Sequence, residues 1–149
     1  MNGHGISVSP LPGWDIRIAR RPAPWGERTH AVLHAATFAL PEGRGDYGDG
    51  AVQRMARDDV FLALVEFAPS ATATPLFRDP PVPRSLSADE FARTTLQHAA
   101  AGQSGLQRFF TERGRAWCLY VVIGSHDRRV VLTRRVNQLL SGMTLEGAA

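Results

Sequence analysis

The sequence predicts an α+β domain, a mainly antiparallel sheet packed by two amphipathic helices, on three observations. Leu106 to Glu112 and Ala116 to Gly124 are apolar-rich runs joined at Arg113-Gly114, the signature of a hairpin and hence of antiparallel pairing. Val60 to Ala68 and Trp117 to Gly124 are apolar on both faces, as interior strands are. Two segments, one opening at Ser87 and one centred on Leu132 to Leu140, carry apolar residues at helical spacing. Hairpins mixed with helices place the chain in the α+β class, and its 149 residues fit a single domain.

In chain order, Ile6 to Ser9 alternates apolar and polar residues and reads as a short strand. Pro10 to Gly13 reads as a turn, because proline fixes one backbone angle and glycine permits another. Trp14 to Ala19 follows as a half-buried strand, with Ile16 and Ile18 on one face and Asp15 and Arg17 on the other, so the first two strands are expected to pair as a hairpin. Arg20 to Thr29 reads as a loop. Ala31 to Leu40 reads as a strand with Val32, Ala36, Phe38 and Leu40 on the face that also carries His34. Pro41 to Gly50 holds four glycines and reads as a long loop, followed by a short helix in Ala51 to Arg57. Pro69 to Pro83 is a proline-bearing loop.

Ser87 and Glu90 have the spacing of a capping box, and Leu86 with Phe91 that of the hydrophobic staple. A helix is therefore expected from Ser87, burying Phe91, Ala92, Leu96 and Ala99 and stopping at Gly102. The last helix is expected to start near Ser125 or Asp127 and to end at Gly142, with Met143 to Leu145 adding an edge strand.

All seventeen basic side chains are arginine, in a chain rich in alanine, glycine and proline, the composition of a GC-rich bacterial coding background. Arginine pairs and glycine clusters therefore carry little information by themselves. The net charge of +3 is too small to mark a nucleic-acid binder. The single cysteine, Cys118, rules out a disulfide within the chain and sits in the most apolar run, as a small core residue would. The N-terminus lacks the pattern of a signal peptide, and no apolar run reaches the length of a membrane span, so a cytoplasmic location is expected.

Several motifs suggest chemistry and have simpler readings. Gly43-Arg44-Gly45-Asp46-Tyr47-Gly48 matches G-x-G-x-x-G after a strand, with Glu66 near the spacing of a ribose-binding acid. The helix that follows is too short for a parallel crossover, so a glycine loop is the stronger reading. Arg44-Gly45-Asp46 is a tripeptide of some adhesive proteins and arises readily by chance in this composition. Ser125, His126 and Asp127 are consecutive, which suits helix capping better than a triad. His30 and His34 share a face, but no further ligand lies at a telling position. Arg128-Arg129 and Arg134-Arg135 do not combine into one basic helix face. Arg20, Arg21 and Arg28 with Trp25 place charge and a stacking ring on one loop.

The two ends of the chain, Ile6-Ser7-Val8 with Pro12-Gly13-Trp14 and Val136 to Ser141 ahead of the last strand, resemble the PsbP-like fold family, which includes small actinobacterial proteins. That resemblance implies an antiparallel sheet between helices, an α/β/α sandwich, and a binding or assembly role. With no convergent acid, base and nucleophile, the sequence points to a non-catalytic module binding a protein partner or an anionic ligand, with no cofactor and no metal. Trp25, Arg28, Arg44 and Tyr47, on the two conspicuous loops, are the expected contact residues. The alternative is a nucleotide- or dinucleotide-binding protein or enzyme using the Gly43–Gly48 loop.

Overall fold

In the computed structural model, residues 1–21, 29–43, 45–48, 50–78, 81, 83–95 and 100–147 are described. Five strands form one antiparallel sheet: β3 (Asp15–Arg21), β4 (His30–Ala36), β5 (Val60–Phe67), β6 (Ser104–Glu112) and β7 (Arg115–Ile123). Their order is β3-β4-β5-β7-β6. The two runs that are apolar on both faces become β5 and β7, which lie side by side inside the sheet in opposite directions. Full burial of Phe61, Leu62, Ala63 and Leu64 along β5 explains why that run shows no polar alternation.

The β6–β7 hairpin forms at the expected place. Arg113 and Gly114 take φ values of 50° and 78°, the left-handed pair whose twist matches the flanking strands.

The expected pairing of the first two strands is not formed. β2 (Ile6–Val8) instead lies between β1 (Asn2–Gly3) and β8 (Met143–Leu145) in a separate three-stranded sheet. The alternation within Ile6–Val8 was readable locally, but its partner lies at the other end of the chain. The small sheet then packs Ile6, Val8, Met143 and Leu145 onto the inner face of the large one.

Among the described residues there is one α-helix, α1 (Arg129–Ser141), so the expected pair of amphipathic helices is corrected. The capping box at Ser87 does form: the Ser87 hydroxyl accepts from Asp89 N–H at 3.4 Å, and Glu90 accepts from Ser87 N–H at 2.6 Å. It caps only a 3₁₀ turn over Ala88–Glu90, because Phe91 turns extended and Ala92 pairs with Gly105 beside β6. Strand pairing therefore overrides a local helix signal. Leu96 and Ala99 lie outside the described residues.

Ala51 to Arg57 forms only a 3₁₀ turn over Val52–Arg54. A further 3₁₀ turn, His126–Arg128, precedes α1, and Ser125 offers it no side-chain cap. The stripe Leu132, Val136, Leu139 and Leu140 is buried against the sheet as expected. No helix among the described residues is long and apolar enough to cross a membrane.

The large sheet buries both faces. The inner face carries Leu33, Leu62, Leu64, Trp117, Leu119 and Val121 beneath α1 and the small sheet. On the outer face Val32, Ala36, Phe61, Ala63, Val65 and Val122 are covered by loop residues Leu40, Ala51 and Val52, with Phe38 and Met55 at the margin. Loops thus take the place of a second helical layer.

One ion pair spans β5 and β7 of the large sheet, and its arginine also reaches the small sheet. Arg115, stacked over the Trp117 ring at 4.5 Å, places its Nε 2.8 Å from Glu66 Oε1. Its Nη2 donates to the His4 carbonyl at 3.0 Å and its Nη1 to the Glu146 main-chain carbonyl at 3.3 Å. Glu66 Oε2 accepts from Ala31 N–H at 2.8 Å. The acid proposed as a ribose ligand is thus a structural partner of Arg115.

Candidate functional site

β3 ends the large sheet, and its residues alternate. Asp15, Arg17, Ala19 and Arg21 face outward beside Ala36, His34, Val32 and His30 of β4, their partners in register. The chain leaving β4 turns back over this face; residues 41–43 and 45–48, the strap, are fastened at Pro41 to β3 and at Asp46 to β3 and β4.

At the first end, Arg17 donates through Nη1 to the Pro41 carbonyl at 2.8 Å and through Nη2 to the Leu40 carbonyl at 2.9 Å. Asp15 Oδ2 accepts from Arg17 Nη2 at 3.0 Å and from Leu40 N–H at 2.9 Å. At the second end, Arg21 Nη1 meets Asp46 Oδ2 at 2.7 Å, and Arg21 Nη2 donates to the Glu66 carbonyl at 2.8 Å. The Asp46 carbonyl accepts from His34 Nε2 at 2.8 Å. A carbonyl can only accept, so Nε2 carries the ring proton. Burial pushes the His34 pKa below its ordinary value, against the opposing influence of Asp46, and keeps the ring neutral near pH 7.

Between the two fastenings, the strap and the strand enclose an open cleft of about 360 Å³. Ala19, Val32 and His34 form its floor, Arg17 and Arg21 its ends, and Glu42 with Gly43 its far wall; Ile18 and Arg20 complete the β3 side. Ala19, at the centre of the β3 side, brings only a methyl group to the lining. Arg20 reaches the opposite side of the strand, where its Nε meets His4 Nδ1 at 3.1 Å and its Nη1 meets Thr29 Oγ1 at 3.1 Å. Arg20 has no carboxylate partner among the described residues.

Within the strap, Tyr47 packs edge-on against Tyr120 at 5.2 Å, with its hydroxyl near the Cys118 thiol. Gln107 Nε2 donates to the same sulfur at 3.5 Å. Burial pushes the Tyr47 hydroxyl up to about 12 and raises the Cys118 thiol, so both stay protonated at neutral pH. Gly48, with φ +87°, ends the strap; a Cβ there would run into the Phe61 ring.

Of the expected contact residues, Tyr47 lies beside the cleft, with 41% of its surface exposed. Trp25, Arg28 and Arg44 lie outside the described residues. Arg17, Ala19, Arg21, His34 and Asp46 were not singled out as a group. The available signal was the pair of arginines flanking a small residue at strand period in Arg17, Ala19 and Arg21.

The other motifs are placed elsewhere. Arg128 Nε pairs with Asp58 Oδ1 at 2.7 Å and Arg135 donates to the Asp58 carbonyl at 3.0 Å, so both fasten α1 to a turn. Ser125 is buried, and the Asp127 carboxylate faces Arg93 at 3.7 Å. β4 and β5, the strands on either side of the glycine loop, are antiparallel neighbours. The parallel crossover that the dinucleotide reading needs is therefore not formed.

No protein-family model matches the chain, and no curated protein or solved structure matches it.

Proposed function

We propose that this protein is a non-catalytic binding module that takes an anionic group in the cleft between β3 and Glu42–Gly43. One observation carries this reading: Arg17 and Arg21 face one hollow from its two ends, and each already holds a carboxylate of its own chain. Guanidinium groups fixed by backbone carbonyls are arranged before any ligand arrives, which lowers the entropic cost of binding. Among the described residues, the contacts given above use three of the five N–H donors of Arg17 and two of those of Arg21. Donors thus remain for an incoming oxygen. The neutral ring of His34, engaged with Asp46, and the protonated thiol of Cys118 are suited to holding structure rather than to attack on a substrate.

The binding and assembly role implied by the resemblance of the chain ends to PsbP-like proteins agrees with this reading, and a cytoplasmic setting would supply carboxylate and phosphate ligands. Thermal unfolding with increasing succinate, acetate or phosphate tests it. The expected result is a melting temperature that rises with ligand concentration in the wild type and stays flat in Arg17→Gln. No rise with any of the three anions would overturn it.

A further inference from the structure

We infer that His34 is a third contact of the bound anion, made by taking a proton on Nδ1, so that the cleft binds an anion and a proton together. The inference rests on the anion-binding reading above and adds a residue and a pH dependence to the same site.

The placement comes from register. His34 on β4 stands directly opposite Arg17 on β3, on the outer face of the sheet. Side chains paired in this way start within about 5.5 Å of each other at Cβ. The imidazole is 8% exposed and lines the cleft floor, so the little surface it presents opens there. Its Nε2–H is engaged by the Asp46 carbonyl at 2.8 Å, a bond that serves the neutral and the protonated ring alike. A second proton therefore goes to Nδ1 and leaves the strap fastened. Nδ1 has no hydrogen-bond partner among the described residues and is not one of the enclosed polar atoms.

In the empty cleft this proton is refused. Burial disfavours the charged ring and the Arg17 charge adds to that, while the Asp46 carbonyl and carboxylate oppose both without overcoming them. An anion seated against Arg17 reverses the balance: it offsets the guanidinium charge and accepts a charge-assisted hydrogen bond from Nδ1–H. The other charged and titratable described residues around the ring are Asp15, Arg21 and His30 on the sheet, and Glu42 and Tyr47 with Asp46 on the strap. β5 presents only Ala63 and the Phe61 ring, 5.9 Å from the imidazole. Asp15 and Asp46 already pair with Arg17 and Arg21. His34 is the one imidazole in the cleft lining, and imidazole is the side chain whose charge changes between about pH 5 and 8.

The test is calorimetry of the full chain with sulfate, which keeps its charge between pH 7.5 and 5.5. The expected result is binding about fivefold or more tighter at pH 5.5 in the wild type, against a change of less than about twofold in His34→Gln, whose amide keeps the bond to Asp46. Titrations at pH 6.5 in two buffers of different ionisation heat are expected to show net proton uptake in the wild type alone. Where His34→Gln does not fold, the carbon-bound ring protons of His34, followed by NMR in the wild type, decide instead. Their titration midpoint is expected to rise when sulfate is bound, and an unmoved midpoint overturns the inference. Equal pH dependence in wild type and His34→Gln, or none in the wild type, would also overturn it and leave the anion site standing. No binding of sulfate at either pH removes it as well, and if succinate fails too the anion-binding reading falls with it.

Discussion

Asp46 is held to the large sheet twice: its carboxylate lies 2.7 Å from Nη1 of Arg21 on β3, and its main-chain carbonyl accepts a hydrogen bond from His34 on β4. The carboxylate therefore occupies part of the Arg21 surface that a ligand would use. In Asp46→Asn the carbonyl contact persists while the competing charge is gone. The side chains are partly exposed, so the lost pair costs about 1 kcal/mol or less. Succinate is then expected to bind up to about fivefold more tightly, with little change in melting temperature, as read by calorimetry and thermal unfolding.

Glu66 pairs with Arg115 across β5 and β7 with little solvent around them, and Arg115 also donates to the small sheet. Burial alone would raise the Glu66 pKa; hydrogen bonds from Arg115 and Ala31 N–H, and the Arg115 charge, outweigh it and hold the carboxyl below its ordinary value. A depressed acid stabilises the fold above its unfolded pKa, and that contribution disappears as pH falls through the folded value. Urea unfolding at pH 7 should show Glu66→Gln destabilised by about 3 kcal/mol, because Arg115 keeps its charge in a buried site. The gap to wild type should narrow as pH falls below the ordinary glutamate range and through the lowered folded value, where the wild-type carboxyl also becomes neutral.

His34 titrates in a different window. Burial lowers its pKa below 6.5, so the unfolded chain binds a proton that the folded chain refuses between the two values. Stability is therefore expected to fall as pH drops below about 6.5. His34→Gln keeps a donor for the Asp46 carbonyl but does not titrate, and the ratio of its unfolding midpoints at pH 7.5 and 5.0 should lie closer to one than in the wild type.

Tyr47 covers Cys118. A thiol that is buried and held protonated reacts slowly. Tyr47→Ala removes the ring against Tyr120 and the side chain near the thiol, and labelling of the native protein by a thiol-specific disulfide reagent is expected to accelerate about tenfold or more. An unchanged rate would mean that access to Cys118 is set by global unfolding.

The parts of this fold that were legible are those fixed by neighbours in sequence. Arg113 and Gly114 announce their hairpin because the turn itself demands left-handed angles, and Leu132 to Leu140 announce α1 because burial must repeat at helical period. The parts that were not legible depend on distant partners. Nothing near Ile6–Val8 says that it pairs with Met143–Leu145 rather than with the strand beginning at residue 15. Nothing at Ser87 says that Ala92 will pair with Gly105 and cut the helix short. The cleft is of the same kind. Tyr47 stood out as an exposed aromatic on a glycine loop, whereas Arg21 and Asp46 meet across 25 positions of chain and Arg17 finds Pro41 across 24.

The central claim, that the hollow between Arg17 and Arg21 is a binding site, is tested most directly by following backbone amide resonances while succinate is added to the ¹⁵N-labelled protein. The expected result is saturable shifts grouped at residues 17–21, Val32 and Gly43, abolished in Arg17→Gln. Shifts confined to other arginines, such as Arg113 or Arg134, or no saturable shift at all, would contradict it.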